Sequence, residues 1–121
     1  MATVAFYSGE LMSPEAIRAA YPNARFVARA SVPAAGAAIA KPFDSVVGDR
    51  VWGIVVDLGT ELGGDEVMAT ADDERSLRVV LIEPLLGGDP ATVLTNARYW
   101  ELPPAFVRTL RSVVQPGQDE E

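Results

Sequence analysis

The residues with the most chemical potential stand together at Tyr7-Ser8-Gly9-Glu10-Leu11. Val4 to Tyr7 is a short apolar and aromatic run without a helix signal, which reads as a buried strand. Ser8-Gly9 ends it, the glycine supplying backbone angles closed to other residues. Ser13-Pro14-Glu15 then opens a helix with a hydroxyl N-cap, a proline at the first helical position and an acid in the first turn. A strand, a glycine turn and a helix start in so short a span turn several backbone N–H groups toward one point, which makes an anion seat. The same pattern is also the ordinary way to join a strand to a helix, and both readings stand.

Elimination narrows the chemistry further. The 121 residues contain no cysteine and no histidine. That excludes disulfides, thiolate or imidazole metal sites, a cysteine nucleophile and a Ser-His-Asp triad. Proton transfer near neutral pH is left to a carboxylate, the one lysine (Lys41), a tyrosine or water. A formal charge of −7 argues against a nucleic-acid partner, because phosphate contacts need a basic surface. No apolar run is long enough to cross a membrane, and no basic-then-apolar leader is visible, so a cytoplasmic protein is expected.

The elements that must position these residues follow from pattern. The length suits one domain with a single core, taken as residues 1–114, followed by a disordered acidic tail at 115–121. Ala2 to Tyr7 is the first strand and Pro14 to Tyr21 the first helix, with Ile17 and Tyr21 on one face. Phe26, Ala28, Ala30 and Val32 alternate as a half-wet strand, and a further strand follows through Ile39. The many small residues there suit either a crowded barrel wall or a plain alanine-rich background. Val51 to Leu58 is the strongest strand, β-branched and nearly all apolar. Asp65 to Arg75 reads as a short acidic helix, Leu77 to Glu83 as a strand, and Pro84 to Pro90 as a glycine-rich turn. Ala91 to Trp100 reads as a last strand with Val93, Thr95, Ala97 and Tyr99 on one side. Phe106, Leu110, Val113 and Val114 share one face of a terminal helix. An α+β domain follows: a small mixed β-barrel of about six strands with flanking helices.

Three of these stretches carry a resemblance to the γ-glutamylcyclotransferase-like proteins. Tyr7-Ser8-Gly9-Glu10-Leu11, running into Met12-Ser13-Pro14-Glu15, resembles that family's Tyr-Gly-Ser-Asn-Leu turn and helix start. Val51-Trp52-Gly53 resembles its Val-Trp-Gly strand, and the proline-led terminal helix resembles its last helix. Ser8 and Gly9 stand in swapped order, and Glu10 replaces the family's asparagine. The resemblance implies release of an amine from a γ-glutamyl compound with formation of 5-oxoproline, without metal or cofactor. The substrate's own α-amine attacks its side-chain carbonyl, so the protein holds a folded conformer and supplies one base. It further implies substrate binding by Tyr7, Ser8, Gly9, Glu10 and Leu11. The family's acid segment, laid on Val67 to Arg75, puts the catalytic glutamate at Glu74, with Asp73 as the nearest substitute.

Each of these residues has a plainer reading as well. Asp72-Asp73-Glu74-Arg75 is also what a solvated helix end looks like. Glu10 is either a base, a source of like-charge repulsion in a carboxylate seat, or a first-turn acid that favours a helix dipole. The partners expected are a small γ-glutamyl substrate or ligand, no nucleic acid, no membrane, and in one further reading a second copy of the chain. A catalytically inactive binding or interaction module on the same barrel is the rival to the enzyme.

Overall fold

The structure is a computed structural model that describes residues 2–44, 48–82 and 84–114. Five strands, β1 (Ala2–Tyr7), β2 (Arg25–Pro33), β3 (Arg50–Leu62), β4 (Glu66–Ala71) and β5 (Ser76–Leu81), close into a barrel in the order β1-β3-β2-β4-β5. β5 returns to β1 in parallel, with Ala5 opposite Val80 and Phe6 opposite Leu81; the other ladders are antiparallel. The helices are α1 (Pro14–Ala20), the single turn α2 (Lys41–Asp44), α3 (Pro90–Tyr99) and α4 (Pro104–Val114), and a 3₁₀ turn spans Gly9–Met12.

A barrel of so few strands is narrow, and its interior suits small side chains set against a few large ones. Ala30, Ala69, Val32, Val51, Val55 and Val79 are fully buried beside Phe6, whose ring lies over Gly53. This gives the alanine-rich stretch its purpose as barrel wall. Phe26 breaks the expected alternation. The β2–β3 register shifts between Phe26 and Ala28, which turns Phe26 outward to stack on Trp100 at 5.0 Å. A second apolar layer of Met12, Phe43, Leu85, Leu86, Val93 and Leu110 lies between the barrel and the helices, fully buried.

Three expected elements differ, and they account for five strands rather than about six. Residues 91–99 are helical, because Asp89 accepts the Thr92 N–H at 3.2 Å and Pro90 starts the helix. The buried positions Val93, Leu94 and Ala97 follow a helical spacing, while Thr95 and Tyr99, expected on the same side of a strand as Val93 and Ala97, face solvent. The stretch through Ile39 makes one bridge, to Leu85, and no longer ladder. Finally, 66–71 is a strand and not an acidic helix: Ala69 and Ala71 are buried while Met68 and Thr70 are exposed. The terminal helix is as expected, with Phe106 and Leu110 buried. Residues 115–121 lie outside the described residues. Among the described residues no helix is long and apolar enough to cross a membrane.

Candidate functional site

The turn that ends β1 is formed as its sequence suggests. Gly9 has φ +74°, Glu10 accepts the Ser13 N–H at 3.2 Å, and the Ser13 hydroxyl caps α1 through the Ala16 N–H. Its main-chain groups, however, are engaged by the chain itself. The Glu10 N–H donates to the Gly87 carbonyl at 2.9 Å, and the buried Ser8 hydroxyl accepts the Leu86 N–H at 2.8 Å. Asn96 donates from Nδ2 to both the Gly9 and Glu10 carbonyls at 3.1 Å, and Trp100 donates from Nε1 to Met12 at 2.8 Å. A Cβ on Gly9 would lie 2.6–2.7 Å from the backbone of Leu86 and Gly87. The space over the turn is therefore filled by the segment between β5 and α3.

Glu10 belongs to this arrangement. Its Oε2 accepts the Asp89 N–H at 3.0 Å, placing the carboxylate at the N-terminus of α3, where the helix dipole favours a negative charge. Gly88 has φ +107° and presents its Cα to the Glu10 side chain, so a side chain there is excluded twice over. The helix that Glu10 serves is α3, not the α1 beside it in sequence. Leu11 is exposed and borders a shallow apolar depression with Tyr7, Ala16, Ile17 and Ala20.

Burial, and secondarily the neighbouring Tyr21, push the Tyr7 hydroxyl above its ordinary value of 10. The folded state therefore holds this proton more tightly than the unfolded chain. Its contribution to stability is complete below the unfolded value and is lost as pH rises through the higher folded one. Tyr7→Phe is expected to remove part of the alkaline loss of stability, read as a smaller drop in urea midpoint between about pH 9 and about pH 11.

Glu74 and Asp73 are placed elsewhere. Both sit on the exposed turn between β4 and β5, where the Glu74 N–H donates to Ala71 and the Ala71 N–H to Arg75. Because β5 runs parallel to β1, its Leu81 end lies beside Phe6, and its Ser76 end lies toward the start of β1. About five residues of strand, roughly 16 Å, separate that turn from the level of Ser8. The fold therefore does not bring either acid to the Ser8–Leu11 turn. The Asp73 carboxylate accepts the Arg75 N–H and pairs with its guanidinium at 2.7 Å, which holds it below the usual carboxylate range. A base working near neutrality needs the opposite shift. Glu74 occupies φ 71°, a conformation that favours glycine. Glu74→Gly is accordingly expected to raise stability by about 0.5–1 kcal/mol, seen as a higher melting temperature.

Sequence reasoning missed Asn96, Trp100 and the Leu86–Asp89 segment as neighbours of the turn. The one signal for them was Asp89-Pro90, a helix start that turns 91–100 from strand to helix and puts Asn96 on its inner face. Among the described residues no cluster of three or more acids is grouped to hold a metal ion.

No protein-family model matches the sequence, and no curated protein matches it. Solved structures do. A gamma-glutamyl cyclotransferase superposes with a TM-score of 0.62 at 16% identity, over 90% of this chain and 86% of that one. An uncharacterized protein from Homo sapiens superposes with a TM-score of 0.63, also at 16% identity, over 91% of this chain and 86% of its own. The likeness runs through the barrel and the helices around it, and this chain has the gamma-glutamyl cyclotransferase fold.

Proposed function

We propose that this chain is a small-ligand-binding protein on the gamma-glutamyl cyclotransferase fold, in which the Ser8–Leu11 turn serves structure rather than cyclisation. One observation carries the reading: the Gly87 carbonyl occupies the Glu10 N–H, with the Gly87 backbone packed onto Gly9. A substrate carboxylate would have to displace that backbone before it could reach the Glu10 N–H. It would also meet the Glu10 carboxylate, which adds a like charge.

The test is a panel of free amino acids and γ-glutamyl amines and amides, followed by thermal shift and by 5-oxoproline release. At a hundredfold excess over Kd a bound ligand adds about 2.7 kcal/mol, which is a rise of roughly 10 °C for a domain of this size. Stabilisation without 5-oxoproline is the expected result. Release of 5-oxoproline would overturn the reading in favour of cyclotransferase turnover. The similarity to a gamma-glutamyl cyclotransferase over 90% of the chain is what favours that second reading.

A further inference from the structure

β2 and β4 are paired at only two positions, Ala30 with Ala71 and Ser31 with Thr70. β2 runs on to Pro33 and β4 begins at Glu66, so beyond Ser31 the two strands part. Arg50 closes the lower end of the seam. Its Nε donates to the Ser31 hydroxyl at 2.7 Å, and its Nη2 to the Ser31 carbonyl at 2.8 Å and the Thr70 hydroxyl at 3.3 Å. Beyond the paired positions lies an apolar slot of about 170 Å³, lined by Pro33 and Ala37 from the β2 side and by Val67, Met68 and Leu81 from β4 and β5. It adjoins a hollow of about 300 Å³, with Gly36, Val67 and Leu81 forming part of both walls. The outer rim of the hollow is Gly63, Gly64 and Asp65.

Among the described residues, Asp65 is the one charged residue that lines either space. The neighbouring Glu66 pairs with Arg78 at 3.6 Å, and among the described residues Asp65 has no ion pair. Together the two spaces are of the size small-molecule sites take, roughly 300–1,000 Å³. One carboxylate is too few for a metal ion but enough for one ammonium group. The exposed Met68 at the rim adds an adaptable apolar contact. The overall charge of −7 attracts a cation toward such a mouth.

We infer that this slot and hollow form a binding site for small primary amines with a short apolar body, the ammonium on Asp65 and the carbon chain between Val67, Met68 and Leu81. This deepens the proposal above, since it rests on a binding role and names the ligand class. A site built this way discriminates by charge: a carboxylate ligand of the same length meets Asp65 as a like charge, and an alcohol gains only the apolar contact.

The probe is hexylamine, with hexanol and hexanoate as matched controls, titrated into the full chain and followed by amide chemical shifts. Hexylamine is expected to bind with the largest shifts at Gly36, Gly63–Asp65 and Leu81, and at least fivefold more tightly than either control. Asp65→Asn is expected to erase that fivefold preference while leaving the weak apolar binding. Val67→Trp is expected to abolish binding altogether, because Val67 forms part of both walls and the larger ring takes up the space between them. A melting temperature close to the parent's verifies that each variant folds. Equal binding of the three probes, no hexylamine binding, or binding unchanged by Val67→Trp would each overturn the inference. If amino acids or γ-glutamyl compounds still stabilise the chain when hexylamine does not bind, the inference falls and the broader proposal stands. If 5-oxoproline is released while hexylamine binds in an Asp65-dependent way, the outcome is reversed.

Discussion

Gly9→Ala is expected to destabilise the chain by about 3–5 kcal/mol, from a left-handed penalty of about 1–2 kcal/mol and a comparable or larger cost of forcing backbone apart. The first part follows from φ +74°. The second follows from what the new methyl would meet: the Gly87 nitrogen and oxygen and the Leu86 carbonyl carbon, all main-chain atoms at 2.6–2.7 Å. Main chain cannot rotate away as a side-chain tip can. Moving it would stretch the Glu10–Gly87 and Ser8–Leu86 hydrogen bonds and shift Leu86, which is fully buried. At roughly 4 °C per kcal/mol the melting temperature should fall by more than about 10 °C. A loss near 1 kcal/mol would mean that the turn is free of the Leu86–Asp89 segment in solution. The seat would then be open to a substrate, and the reading of this turn as structural rather than catalytic would lose its support.

The same turn shows how far the sequence could be read. Strand, glycine break, serine cap and helix start are local chemistry, and Val4 to Glu15 displays all of it; the structure has each in place and adds a 3₁₀ turn over Gly9–Met12. What fills the space above the turn comes from residues nearly eighty positions away, and no local signal marks that meeting. Asn96 is the sharpest instance. In a strand reading it is one polar residue among several, whereas in the helix capped by Asp89 it points at two carbonyls of the turn. The error had a physical source: Val93, Thr95, Ala97 and Tyr99 alternate by chance over a helix whose true inner face is Val93, Leu94, Asn96 and Ala97. The acid run differs for another reason: Asp65 to Arg75 reads as a helix from its charges, while Val67, Ala69 and Ala71 carry a strand period that ends in a tight turn at Glu74. The barrel's strongest strand, Val51 to Leu58, was legible because its apolar run is a statement about burial, whereas the alanines alone left a crowded wall and a plain background both open.

Gly53 was noticed only as part of a three-residue resemblance, and the structure supplies the reason for it. Its Cα faces the Tyr7 carbonyl so closely that a Cβ would lie well inside van der Waals contact with that oxygen, with the Phe6 ring next nearest at 2.8 Å. Tyr7 pairs with Ile54 and Phe6 with Val55, so Gly53 lies just beyond the last paired residues of β1. There the chain must leave the ladder and turn into Ser8-Gly9. Gly53→Ala is therefore expected to cost about 3–5 kcal/mol through overpacking inside a barrel with no slack, measured by urea unfolding. Truncating the ring separates the two contacts. Phe6→Ala alone should cost a similar amount through the cavity it leaves, about 3–5 kcal/mol. The double variant should recover only a minor share, about 1 kcal/mol or less, because the Tyr7 carbonyl stays where it is. Recovery of most of the Gly53→Ala loss would show that the ring alone demands the glycine. A small Gly53→Ala loss on its own would show that β1 and β3 can part at this end. In that event the turn at Ser8 would no longer be held against the segment that covers it.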